Sequence, residues 1–99
     1  MVTVKFRDSG KYLYAFSEGH ATGSKEVCAA VSAVMSVCSA VAIETYEGEG
    51  TYWATMGHRD ETKAVFNAVR HTIARIAFTY PEYVEIAEGG FDDFPQKDG

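Results

Sequence analysis

The sequence predicts an α+β fold in which a four-stranded mixed or antiparallel sheet packs with two helices. Three observations lead there. Alternating apolar and polar residues open the chain and recur past its midpoint, two long stretches carry apolar residues at helical spacing, and short polar runs with glycine separate these blocks. The resulting order, ββαβαβ, suits a sheet covered by helices.

Val2, Val4 and Phe6 alternate with Thr3, Lys5 and Arg7, the period of a half-buried strand. Asp8-Ser9-Gly10-Lys11 is a turn. Extended character then resumes over residues 12–16, with Tyr12, Tyr14 and Phe16 on one face and Leu13 and Ala15 on the other. This opening hairpin delivers His20 from the end of its second strand. The first helix is expected over residues 25 to about 43, where Val27, Val31, Val34, Cys38 and Val41 recur at helical spacing. Valine is a weak helix former, so a run such as Val41-Ala42-Ile43 can also extend as a strand. Gly48-Glu49-Gly50 closes a link, and Tyr52, Ala54 and Met56 then alternate with Thr51, Trp53 and Thr55 as a strand. Asp60 or Thr62 is placed to cap a second helix with an apolar stripe of Val65, Phe66, Val69, Ile73, Ile76, Ala77 and Tyr80, ending before Pro81. Residues 83–87 form a short last strand. The expected organisation is one domain over residues 1–90 and an acidic tail over residues 91–99, anchored only by Phe91 and Phe94.

Composition restricts the function classes. At 99 residues and 46% hydrophobic, the chain buries a core without disulfides or metal. Its two cysteines, ten positions apart on one expected helix, are separated by ~15 Å, beyond disulfide reach. Free thiols fit a reducing cytoplasm. With no leader and no run long enough for a membrane span, a soluble cytoplasmic protein is expected. A net charge of −5 argues against direct nucleic-acid binding and accords with a basic protein partner.

The chemistry lies in Gly19-His20-Ala21 and, soon after, Cys28-Ala29-Ala30-Val31-Ser32. Residues 17–24 are small and polar and offer Thr22 and Ser24 as helix caps. With Ser24 as cap, Cys28 falls in the first turn, where unpaired N–H groups and the positive end of the helix dipole stabilise a thiolate or an oxyanion beside it. Ser32 lies one turn on, over the same face as Cys28. A thiol, an imidazole and a supporting hydroxyl are the parts of nucleophilic catalysis. The N–H groups of Val27 and Cys28 are the expected oxyanion hole. Glu18, Glu26 and Asp60 are the candidate carboxylates to orient His20. The other readings are structural: Cys38 as core, His58 and His71 as solvated residues, and the aromatic series Tyr12, Tyr14, Phe16, Tyr52 and Trp53 as sheet core, part of it lining a cleft beside His20.

These two blocks resemble the bacterial ribosomal-processing cysteine protease family Prp, whose members carry a Gly-His-Ala segment, a glycine-containing loop and a Cys-Ala-Ala-Val-Ser helix. The resemblance implies Cys28 as nucleophile, His20 as general base and Ser32 as a supporting hydroxyl, with Gly19, Ala21, Thr22, Gly23 and Ser24 in a loop that orders over the substrate. It further implies four strands with a helix on each face, an α/β/α sandwich, and a homodimer. The implied function is removal of an N-terminal extension from a basic protein of the large ribosomal subunit during ribosome assembly. This chain departs from the family pattern in a shorter loop between His20 and Cys28, and in Lys25 where an aspartate is usual.

Two alternatives stand beside the protease acting on a ribosomal protein: action on another protein, for example a phage structural protein, or a catalytically silent interaction module. A zinc site from His20, Cys28 and either Cys38 or His58 is disfavoured, because no Cys-x-x-Cys or His-x-x-x-His pair is present. No cofactor is implied.

Overall fold

The structure, a computed structural model, describes residues 1–87. Its elements are β1 (Val2–Asp8), β2 (Tyr12–Gly19), α1 (Lys25–Ser36), a 3₁₀ turn (Val37–Ala40), β3 (Ala42–Gly48), β4 (Thr51–Gly57), α2 (Asp60–Thr79) and β5 (Val84–Ile86). They form a five-stranded mixed sheet in the order β3-β4-β2-β1-β5, antiparallel except for the β1–β5 pair. The acidic tail lies outside the described residues.

The opening hairpin forms as its alternation dictates. Gly10, at φ 86°, turns the chain; its N–H donates to Asp8 Oδ1 at 2.8 Å, and Ser9 Oγ accepts from Tyr12 N at 3.0 Å. Val2, Val4 and Phe6 then share a face with Leu13, Ala15 and Ser17, and through the β2–β4 register with Tyr52, Ala54 and Met56.

Both helices lie over that face. Val27, Val31 and Met35 of α1 and Phe66, Val69 and Ile73 of α2 enter one core with Val4, Leu13, Ala54, Met56 and Val84, and Phe6 meets Phe66 edge to face at 5.7 Å. The opposite face carries Tyr12, Tyr14, Phe16 and Trp53, with Lys5 over the Phe16 ring and Tyr46 stacked on Trp53. The expected fold class therefore holds, with two differences of detail. The sheet has five strands rather than four, and the helices cover one face rather than one each.

The fifth strand comes from the end of the expected first helix. That helix stops at Ser36, where the N–H of Val37 turns to the carbonyls of Val34 and Met35, and the chain tightens into a 3₁₀ turn. Beyond it, β3 satisfies its backbone by pairing with β4 along one edge of the sheet. The β-branched residues Val37, Val41 and Ile43 gain little from remaining helical. At the start of α2, Thr62 caps from inside the helix rather than from its end. It is fully buried, and its hydroxyl donates to the Gly57 and Arg59 carbonyls and accepts from Arg59 N.

Candidate active site

His20 is the first residue past β2, and two glycines fix where it goes. Gly19 has φ 100°, and a Cβ there would collide with the Met1 carbonyl oxygen just ahead of β1. Its N–H donates to the Gly50 carbonyl at 2.9 Å, tying the end of β2 to the turn between β3 and β4. Gly50 itself has φ 67°, and the His20 ring lies against it: a Cβ at Gly50 would stand 2.9 Å from Nε2 and 3.3 Å from Cε1. The imidazole thus rests on bare backbone, a seat that any larger residue would fill. The His20 carbonyl accepts from the Met1 nitrogen at 2.8 Å.

The loop that follows is short and anchored. Ala21 is buried, Ser24 N–H donates to the Ala21 carbonyl at 3.0 Å, and Gly23, at φ 94°, faces the Tyr83 ring ahead of β5. Ser24 caps α1 as expected, its Oγ accepting from Val27 N at 3.2 Å. This bond corrects one expectation. The N–H of Val27 is held by Ser24 Oγ and that of Cys28 by the Ser24 carbonyl at 3.3 Å, so neither is vacant for an oxyanion. Lys25 and Glu26 supply the first-turn N–H groups without a partner among the described residues.

Cys28 and Ser32 project from successive turns of α1 into the pocket that His20 lines. This cavity of about 200 Å³ runs between α1 and the β3–β4 hairpin, with Val2, Ser17, Val31, Ser36, Gly48, Gly50, Thr51 and Tyr52 as neighbours. Val27, by contrast, points into the core. Both thiols are free. Cys28 is half-exposed, whereas Cys38 is fully buried and burial pushes its thiol up to about 11, as suits a core residue. His20 and Cys28 line the same pocket, and among the described residues no hydrogen bond joins the ring to the sulfur.

The acidic residues sort themselves by position. Asp60 opens α2 beyond Gly57, which pairs with Tyr12 at the other end of the sheet from His20. Glu26 does not line the pocket. Glu18 does share a shallower concavity with His20 on the outer side of the ring, together with Glu49. Glu47 lines the pocket itself. Neither Glu47 nor Glu49 stands out in the sequence, because only the pairing of β3 with β4 brings that turn to His20. Tyr52, expected among the sheet aromatics, lines the cleft; its hydroxyl meets Ser39 Oγ at 2.7 Å, and burial raises its pKa. His58 is in contact with a carboxylate rather than merely solvated, with Nε2 3.0 Å from Asp8 Oδ1. The backbone N–H of Gly10 holds the Asp8 carboxyl below its usual range against the opposing effect of burial, with lesser help from His58 and Lys63. No metal cluster occurs among the described residues.

The fold is similar to that of an S. aureus protein solved as an essential ribosomal processing protease Prp with a covalently linked product peptide, at a TM-score of 0.69 and 20% identity over 87% of this chain and 97% of that one. The same S. aureus protease with a substrate peptide gives a TM-score of 0.68 at 17% identity, covering 88% and 98%. SMU.848 from Streptococcus mutans gives 0.65 at 28% identity, covering 87% and 91%. No curated protein matches. The family described as cysteine protease Prp matches residues 1–85, most of the chain, so the protein belongs to that family and is a cysteine protease.

Proposed function

We propose that the protein is an endopeptidase that removes a short N-terminal extension from a bacterial large-subunit ribosomal protein, using Cys28 and His20 as a dyad. The observation that carries this reading is the convergence of His20, Cys28 and Ser32 on one pocket open to solvent. Family membership supports the chemistry. The solved relatives from S. aureus, described as ribosomal processing proteases and bound to peptides, support the substrate class.

In this mechanism His20 accepts the Cys28 proton and the thiolate sulfur attacks the scissile carbonyl carbon. The tetrahedral oxyanion is stabilised by the Lys25 and Glu26 N–H groups at the positive end of α1, in place of those already bound by Ser24. The C–N bond breaks as His20 donates the proton to the leaving amine, which leaves a thioester on Cys28. His20 then takes a proton from water, whose oxygen attacks the thioester and regenerates the thiol. The domain of residues 1–90, a cytoplasmic location and a homodimeric state are parts of the same proposal: the first rests on the residue pattern, the second on the free thiols, and the third on the family resemblance.

The test is direct. Wild type and the Cys28→Ala and His20→Ala variants are incubated with ribosomal-protein N-terminal extension peptides, and products are read by mass spectrometry. A single cut made by wild type alone is expected; a cut that survives Cys28→Ala contradicts the proposal.

A further inference from the structure

The pocket between α1 and the β3–β4 hairpin has an uneven distribution of charge. Ser32 and Ser36 on α1, with Ser17 and Thr51 on the sheet, supply hydroxyls, and Val2, Val31 and Tyr52 supply apolar surface. Among the described residues Glu47 is the one carboxylate lining it, and no lysine or arginine does. Its direction follows from register. Glu47 pairs with Tyr52 on β4, so both side chains leave the sheet on the face covered by the helices, and the Glu47 carboxylate opposes ionisation of the Tyr52 phenol. Tyr52 in turn reaches Ser39, past the end of α1. Glu47 therefore belongs to the Ser36 end of the groove, while Gly50 seats His20 at the other. Glu47 forms no ion pair among the described residues and is exposed, so its charge is available to whatever enters.

We infer that Glu47 is a specificity-determining residue that selects a substrate with a lysine or arginine side chain near the scissile bond. The inference rests on the proteolytic reading of this groove and deepens it by naming the side chain that the groove takes. A peptide lying along α1 places its reacting carbonyl beside Cys28 and a neighbouring side chain toward the hairpin. There a cation finds a carboxylate, with Ser36 and Tyr52 also lining the groove and no lysine or arginine among its described lining residues. An acidic side chain would meet an uncompensated like charge, and in a partly enclosed groove that repulsion is screened less than on open surface. The hydroxyls cannot produce this discrimination, because they accept from a cation and donate to an anion alike. Glu18 and Glu49 share the concavity on the other side of His20, so reversing Glu47 isolates the charge facing the groove.

The test is a synthetic library of randomised decapeptides, digested by wild type, Glu47→Gln and Glu47→Lys and read by mass spectrometry. Wild type should enrich lysine and arginine at least fivefold at one fixed position relative to the cut. Glu47→Gln should remove the enrichment, and Glu47→Lys should replace it with aspartate and glutamate at the same position. An identical cleavage profile in all three overturns the inference. The same library is also selected by affinity on immobilised Cys28→Ala protein, with and without Glu47→Lys, which needs no chemistry. Cation enrichment on Cys28→Ala that Glu47→Lys reverses upholds the inference even if wild type cuts nothing, in which case the proteolytic reading alone fails. No charge preference in either selection overturns it.

Discussion

At the scale of single residues, the imidazole is held by an absence. His20 lies against Gly50, whose positive φ and bare Cα leave room for the ring. Gly50→Ala introduces both a strained backbone and a methyl group in the position the ring occupies. Gly10 separates the two effects, since it has φ 86° and nothing near the position of a Cβ. Both alanine variants should lose about 1–2 kcal/mol of stability in urea unfolding. Only Gly50→Ala should also lower kcat for peptide cleavage, by tenfold or more with little change in KM, because displacing a catalytic group by about 1 Å can cost as much as 100-fold. Equal kcat in the two variants would show that Gly50 contributes to the backbone alone.

At the scale of elements, Ser24 links the loop to the helix that carries the nucleophile. Ser24→Ala removes the Oγ acceptor for Val27 N–H and should cost about 1 kcal/mol, read as a lower urea midpoint. Ser24→Asp should restore most of the loss, since aspartate is an equally good cap. The hairpin, β4 and α2 were legible in the sequence because each buries one face and so carries its period in its residues. β3 was not: as an edge strand it exposes Ile43 and Tyr46, shows no clean alternation, and follows a run of valine and alanine whose spacing continues the pattern of α1. The burial of Cys38 is nonetheless legible in its spacing, because a helix and a 3₁₀ turn bring a residue at that spacing to the same core.

At the scale of the whole molecule, the site joins pieces of unequal legibility. His20 and Cys28 stand eight positions apart, so sequence alone brings them to the ends of adjoining elements. Glu47 and Gly50 reach them only through the β2–β4–β3 pairings, which no local pattern specifies. The core also sets the alkaline limit of the fold. The Cys38 thiol titrates from 9.0 to about 11 on burial, so an unfolded chain ionises first and folding loses stability as pH rises through that window. Tyr52, also raised by burial, adds to the loss in the same direction. The urea midpoint should therefore fall between pH 9 and 11, and fall less in Cys38→Ala, whose own stability below pH 9 is lower by the cavity it leaves. A decline equal in slope in the two proteins would place its cause elsewhere.

The central claim is that His20 and Cys28 exchange a proton across their shared pocket, and the alkylation of Cys28 tests it most directly. Each cysteine is followed by peptide mapping after timed exposure to iodoacetamide at pH 7, with buried Cys38 as the internal reference. The account predicts that Cys28 in wild type reacts at least tenfold faster than Cys28 in His20→Ala, while Cys38 stays slow in both. Equal Cys28 rates in the two proteins would contradict it.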